Sequence, residues 1–142
     1  MSKFTRVLFT IVQCTWGIGA TVIGLFFFIK NIKRPHGIYR GTIETKWDNP
    51  WGGLSMGLFI FTPNAEEDYF KKVRVHEYGH CIQSLVLGPV MLILGIISVI
   101  WGSHPYFINM RKEKGIPYTA CFVESWASKW GEMVTGEEAI WN

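Results

Sequence analysis

A chain of 142 residues has room for one domain with a modest core and little else. Its net charge of +3 comes without a continuous basic stripe, which argues against nucleic acid as the main partner and suits an anionic lipid surface. With 49% hydrophobic residues, seven Trp and ten Phe, the chain is more apolar than a soluble domain of this size needs, and this points to membrane contact.

Residues 7 to 29 carry no charge, a run long enough at about 1.5 Å per residue to cross a hydrocarbon layer of about 30 Å. The run predicts a transmembrane helix, with residues 1–34 as an N-terminal anchor. A cleavable signal peptide competes, because Lys3 and Arg6 precede the run and Gly17 to Ala20 are small. The apolar stretch continues through Phe26-Phe27-Phe28, past any cleavage site there, and so favours a retained anchor. Lys30, Lys33, Arg34 and Arg40 outweigh Lys3 and Arg6, which puts the following residues on the cytoplasmic side.

From Ile38 to Trp47 apolar and polar residues alternate, which predicts a strand. Asp48 to Gly53 is a turn cluster, and Leu54 to Thr62 reads as a second strand, so the pair predicts a small β-hairpin. Its Gly53-Leu54-Ser55-Met56-Gly57 stretch is a candidate edge for an extended peptide, with glycines permitting close approach; the same hairpin could equally serve only to cover the next helix.

That helix is predicted over residues 64–87, with Asn64 as N-cap, Glu67 completing a capping box, and Gly88-Pro89 ending it. It carries His76-Glu77-Tyr78-Gly79-His80. Two histidines four apart on a helix share a face and can reach one zinc ion, while the glutamate between them can hold a water beside the metal. That pattern is the arrangement for hydrolysis. Cys81 points away from the ligand face and reads as a small core residue; Cys14, Cys81 and Cys121 form no disulfide pattern and read as reduced thiols.

Residues 85–102 form a second uncharged run, at the lower limit for a span and broken by Gly88-Pro89. A full crossing would carry everything after it to the other side of the bilayer. If a later residue completes the zinc site, this segment must dip into the membrane, lie in its interface or pack within the protein.

Catalytic zinc needs a third protein ligand. Tyr118 to Gly131 reads as a helix in which Glu124 is the only acid; His104 and His36 are the competing ligands. Tyr118 and His104 are candidate donors to an oxyanion. The stretch from Gly131 to Asn142 reads as a solvated acidic end, with Glu132, Glu137 and Glu138 exposed.

His76 to His80, followed by Glu124-Ser125-Trp126-Ala127-Ser128, resembles the HExxH and downstream ExxAD signature of the gluzincin metallopeptidases, especially the membrane-bound CAAX-prenyl-protease and HtpX-like group. The longer strings GGLSMG, HEYGHCIQSLVLGP and FVESWASKWG also resemble small uncharacterised bacterial membrane zincins. The resemblance covers roughly residues 50 to 132. It implies His76, His80 and Glu124 as zinc ligands and Glu77 as general base. Where the pattern has an aspartate that orients a ligand histidine, this chain has Ser128, which implies a weaker hold on that imidazole.

The expected protein is therefore a mainly α membrane protein with a small β-hairpin, made of an N-terminal transmembrane helix and a minimal zincin-like catalytic domain over residues 35–142. Its expected function is zinc-dependent hydrolysis of peptide bonds at the bacterial cytoplasmic membrane, with a peptide or protein substrate, membrane lipid as a partner and no nucleic acid. The alternative is a non-enzymatic, zinc-stabilised membrane binding or regulatory protein, whose closed metal site would take Cys121 or His104 as fourth ligand.

Overall fold

A computed structural model describes all 142 residues. Two helices open the chain, α1 (Lys3–Thr15) and α2 (Ile18–Lys30), followed by strands β1 (His36–Tyr39), β2 (Thr42–Trp47), β3 (Leu54–Met56) and β4 (Phe59–Pro63). Helices α3 (Glu67–Leu87), α4 (Val90–Ser103) and α5 (Pro105–Lys114) come next, then a short 3-10 turn (Tyr118–Ala120) and α6 (Phe122–Thr135). The protein is mainly helical with one small mixed sheet of order β1-β2-β4-β3.

The uncharged run of residues 7–29 is not one helix. It breaks at Trp16-Gly17, and α1 and α2 meet at 97°. Gln13 causes the fold-back. Its side chain is fully buried, where its Nε2 donates to the Cys81 carbonyl at 2.9 Å and its Oε1 accepts from the Ser84 hydroxyl at 3.1 Å. A buried amide without partners costs several kcal/mol at most and about 1–3 in typical proteins, so the run bends to deliver Gln13 to α3. Only glycine fits at the elbow, because a Cβ at Gly17 would lie 2.5 Å from Gln13 Oε1.

The sheet also departs from the expected hairpin. The predicted strand Ile38–Trp47 turns back on itself at Arg40-Gly41, both with positive φ, and β1 and β2 pair antiparallel with Tyr39 opposite Thr42. A second tight turn joins β3 to β4, with Gly57 at φ +59° as its first loop residue, the position at which a two-residue turn demands glycine. Gly57 thus makes a turn rather than admitting a substrate. The two hairpins meet through β2 and β4, which run parallel with Thr45 opposite Phe61. One sheet face carries Trp47, Phe59 and Phe61 against Phe27 and Phe28 of α2. The other carries Ile60 against Tyr78 and Cys81 of α3 and Phe9 of α1.

Helix α3 starts at Glu67 rather than after an Asn64 cap; Glu66 holds the cap position without a side-chain bond, while the Asn64 amide donates to the Trp47 carbonyl and prolongs the sheet. Every residue from Val75 to Cys81 is buried, because the sheet covers one side of α3 and α6 the other. A helix buried all round shows no single apolar stripe. Its crossing with α6 is unusually close: a Cβ at Gly79 would sit 1.8 Å from the Ala127 carbonyl oxygen, and one at Gly131 2.2 Å from that of Val75.

The second uncharged run, residues 85–102, is likewise divided. Gly88, at φ +53°, ends α3, and α4 sets off in a new direction with Met91 as its one buried residue. A bend of 62° at His104 leads into α5. No single helix in the chain is long and apolar enough to cross a membrane.

The end of the chain is solvated at Glu138, as expected, but not at Glu132 and Glu137, which are half-buried and bonded. Glu132 Oε1 accepts from the Ala139 amide and the Trp141 indole, Glu137 pairs with Arg40 at 3.2 Å, and Ala139 is buried.

Candidate metal centre

The close crossing of α3 and α6 brings three side chains together. His76 and His80 lie one turn apart on α3, and Glu124, in the first turn of α6, points between them. Glu124 Oε2 lies 3.1 Å from His76 Nε2 and 3.2 Å from His80 Nε2, and all three residues are buried. These separations are close to the edge of a tetrahedron with bonds of about 2.0 Å, the usual distance for zinc bound by His and carboxylate.

The protonation of the two rings argues for a cation. The Ser128 hydroxyl donates to the Ile140 carbonyl at 2.7 Å, so its oxygen is left to accept from His76 Nδ1–H at 2.8 Å. The Gln83 amide nitrogen donates to the Val123 carbonyl at 2.9 Å, which turns its oxygen toward His80 Nδ1–H at 2.7 Å. Both Nδ1 atoms are therefore donors, and each neutral ring presents only a lone pair at Nε2. Two lone pairs and a carboxylate oxygen cannot share so small a space without positive charge among them. A proton on His80 is one solution: burial lowers its pKa, but the Glu124 carboxylate outweighs burial and pushes it up to about 9. Burial holds His76 below its ordinary value, and burial alone would raise Glu124, but the His80 charge and the two imidazole contacts hold it well below the carboxylate range. A divalent metal ion is the other solution, and the donor set suits one.

Glu77 lies beside this group. Burial pushes its carboxyl up to about 8. Strand β3 begins against it, since a Cβ at Gly53 would fall 2.2 Å from Glu77 Oε1. β3 is an edge strand, and Ser55 turns its hydroxyl inward to the Cys81 thiol at 3.0 Å. Cys81 itself is fully buried, as a small core residue is.

Of the other candidates, Tyr118 reaches the centre and His104 does not. The Tyr118 hydroxyl donates to Ser98 at 3.2 Å, and Ser98 donates in turn to Glu124 Oε1. Tyr118 thus braces a ligand from behind, rather than standing free on the open side. His104 caps α5, accepting from the Tyr106 amide at 3.3 Å, and is exposed. His36 is exposed and bonds the Arg34 carbonyl, and Cys121 stands at the cap of α6; neither joins the three-residue group.

Three supporting residues escape sequence reasoning. Gln83 follows His80 by three positions on the same helix face, which is a usable signal. Ser98 is the one hydroxyl inside α4 before its last residue, a weaker one. The Ile140 carbonyl, a main-chain group, has no signature at all.

Comparison with known protein families, with curated proteins and with solved structures finds no match to this chain.

Proposed function

We propose that this protein is a zinc-dependent metallopeptidase of the gluzincin type, acting on peptide bonds at a membrane surface. The observation that carries the reading is the count of donors. Three side chains converge on one point, no fourth protein ligand joins them, and a buried carboxylate stands next to the gap. Structural zinc sites are closed by four protein ligands, whereas catalytic sites use three.

Zinc, when bound, supplies Lewis acidity toward the scissile carbonyl and toward water. His76, His80 and Glu124 hold it, with ring orientation fixed by Ser128 and Gln83. Glu77, the buried carboxylate beside the three ligands, takes a proton from the attacking water and passes it to the leaving amine. The edge of β3, ending at Gly53 beside Glu77, receives the substrate in extended form by strand addition.

The membrane part of the proposal rests on exposed apolar side chains. Val7, Leu8 and Ile11 of α1, Val22, Phe26 and Ile29 of α2, and Ile93, Ile96 and Val99 of α4 are all exposed. Monomeric soluble proteins rarely leave so many large apolar side chains uncovered on so few helices. Lys3 and Arg6 beside the exposed face of α1 give it the character of a helix lying in the headgroup layer.

The test is Glu77→Gln, assayed with a fluorogenic peptide library on the zinc-loaded protein in anionic vesicles. Hydrolysis is expected to vanish while zinc content stays at one per chain. Unchanged hydrolysis in that variant would remove Glu77 from the mechanism, and a wild-type protein with no affinity for zinc would remove the metallopeptidase reading altogether. Failure of the wild-type chain to float with anionic vesicles would remove the membrane surface from it.

A further inference from the structure

Ser128 stands where the resemblance calls for a carboxylate, and a hydroxyl by itself is a poor substitute. It rotates freely, and it can turn its proton toward the imidazole as readily as its lone pair. What fixes it here is the extended segment after α6. The Ile140 carbonyl can only accept, so it consumes the Ser128 proton and leaves the oxygen as an acceptor for His76 Nδ1–H.

That carbonyl is held in place from both sides. Glu132 Oε1 accepts from the Ala139 amide at 3.0 Å and from the Trp141 indole nitrogen at 2.8 Å. The Ile140 amide donates to the Lys72 carbonyl at 3.2 Å, and the Asn142 carbonyl accepts from the Thr119 amide at 2.9 Å and from its hydroxyl at 3.2 Å. Five bonds thus tie four consecutive residues to α3, α6 and the 3-10 turn, and the group they position faces Ser128.

We infer that residues 139–142 are a working part of the metal centre: through Ser128, the Ile140 carbonyl fixes the tautomer and orientation of His76. Glu132 and Ser128 are positioning residues in this relay. The inference rests on the reading of His76, His80 and Glu124 as a zinc site, and it adds that the affinity of that site depends on a segment that touches no ligand directly. A neutral hydroxyl relay is weaker than a charged acceptor, so the strap sets how well the imidazole is held.

The experiment compares Ser128→Ala, Glu132→Ala, the two combined, and Ser128→Asp combined with Glu132→Ala. Zinc affinity is read by competition with a chromogenic chelator, and the His76 ring nitrogens by long-range proton–nitrogen NMR on the zinc-free and the zinc-loaded full chain. Ser128→Ala is expected to weaken zinc binding by about 10–100-fold, the usual effect of losing a partner behind a ligand. Glu132→Ala is expected to weaken it at least fivefold, on the order of the lower end of that range, and the combination no further than Ser128→Ala alone. Ser128→Asp is expected to restore affinity in the Glu132→Ala background, because a carboxylate accepts from Nδ1–H without the strap. Losses that multiply in the combination, or a failure of Ser128→Asp to restore binding in a protein that keeps its circular dichroism, would mean that the strap merely supports the fold, and the inference would be wrong. A Glu132→Ala protein with unchanged affinity and unchanged His76 signals would also overturn it. If the wild-type chain takes up no zinc, the metal reading fails separately, and the zinc-free His76 signals still decide whether the strap sets its tautomer.

Discussion

Gly79→Ala isolates the contact on which the whole site depends. The added Cβ would stand 1.8 Å from the Ala127 carbonyl oxygen, 2.6 Å from its carbon and 3.0 Å from its Cα, all main-chain atoms that no rotamer change can move. Ordinary van der Waals contact begins near 3.4 Å, so α6 must withdraw by roughly 1.6 Å. Two terms then oppose each other in stability. Overpacking costs about 1–3 kcal/mol, while replacing a helical glycine with alanine returns about 1 kcal/mol. The metal-free protein should therefore lose about 0–2 kcal/mol, which a small domain can tolerate. The site cannot tolerate the same shift. Glu124 lies one turn before Ala127 on α6 and moves with it, whereas a metal ligand must stay within about 0.2 Å of its place. Zinc affinity is expected to fall at least 100-fold, beyond what losing an outer partner costs. At saturating zinc that is about 2.7 kcal/mol of zinc-dependent stabilisation lost. Thermal unfolding with and without zinc, together with chelator competition, separates the two quantities. Gly95→Ala is the control, since nothing lies within 4 Å of its Cβ. A Gly79→Ala protein that binds zinc within threefold of the wild type would refute the idea that helix contact sets the ligand geometry.

Other consequences follow from the electrostatics and the bracing of the site. With its pKa pushed up to about 9 by Glu124 against the effect of burial, His80 is protonated in the metal-free protein at pH 7, so zinc uptake should release that proton at least; calorimetry in two buffers of different ionisation enthalpy should show it, and a buffer-independent heat would contradict it. Glu77 in the metal-free protein has its pKa raised from 4.5 to about 8 by burial, so the folded state keeps a proton that the unfolded state gives up. Metal-free stability should therefore fall as pH rises through that window, and Glu77→Gln should abolish the fall. Urea unfolding in chelator at pH 5, 7 and 9 measures this, and equal pH slopes in the two proteins would count against it. Ser98→Ala removes the donor to Glu124 Oε1 and leaves the Tyr118 hydroxyl without its acceptor. Zinc affinity should drop about tenfold, with Ser98→Thr retaining most of it, and an unchanged affinity would show that α4 does not brace the ligand.

The candidate metal group was legible in the sequence because the spacing of its two histidines is a property of a single helix. His76 and His80 need only the 3.6-residue turn to share a face, and Glu124 was the only acid in a helical window downstream. The supports were illegible because they depend on which elements meet. The Ile140 carbonyl matters only once the last seven residues lie against α6, and no side-chain pattern records that. The sheet followed the same division. Alternation found strands at residues 38–47 and 54–62, but not the Arg40-Gly41 turn inside the first, nor the parallel pairing of β2 with β4. Pairing partners are chosen by what each face packs against, here α2 on one side and α3 on the other, which a single strand's own residues do not name.

The two uncharged runs carry a more general lesson, because their mean hydropathy and their few polar residues point to different structures. Averaged, each reads as a membrane span. Residue by residue, the first contains Gln13 and Thr21 and the second Ser98. A polar side chain amid apolar neighbours is costly until it finds a partner, so each such residue states that its run must touch something able to bond it. Gln13 finds the Cys81 carbonyl and Ser84 on α3, Thr21 finds the Gln13 carbonyl across the elbow at 2.7 Å, and Ser98 finds Glu124 on α6. The bonds of Gln13 and Ser98 lead to α3 and α6, the helices of the candidate metal centre, and that of Thr21 closes the elbow that carries Gln13. The apolar helices are therefore fastened by their polar exceptions as well as by packing at Phe9, Phe27, Phe28 and Met91, and are left exposed along one side. That arrangement lets an exposed apolar surface and a buried polar cluster occupy the same small chain.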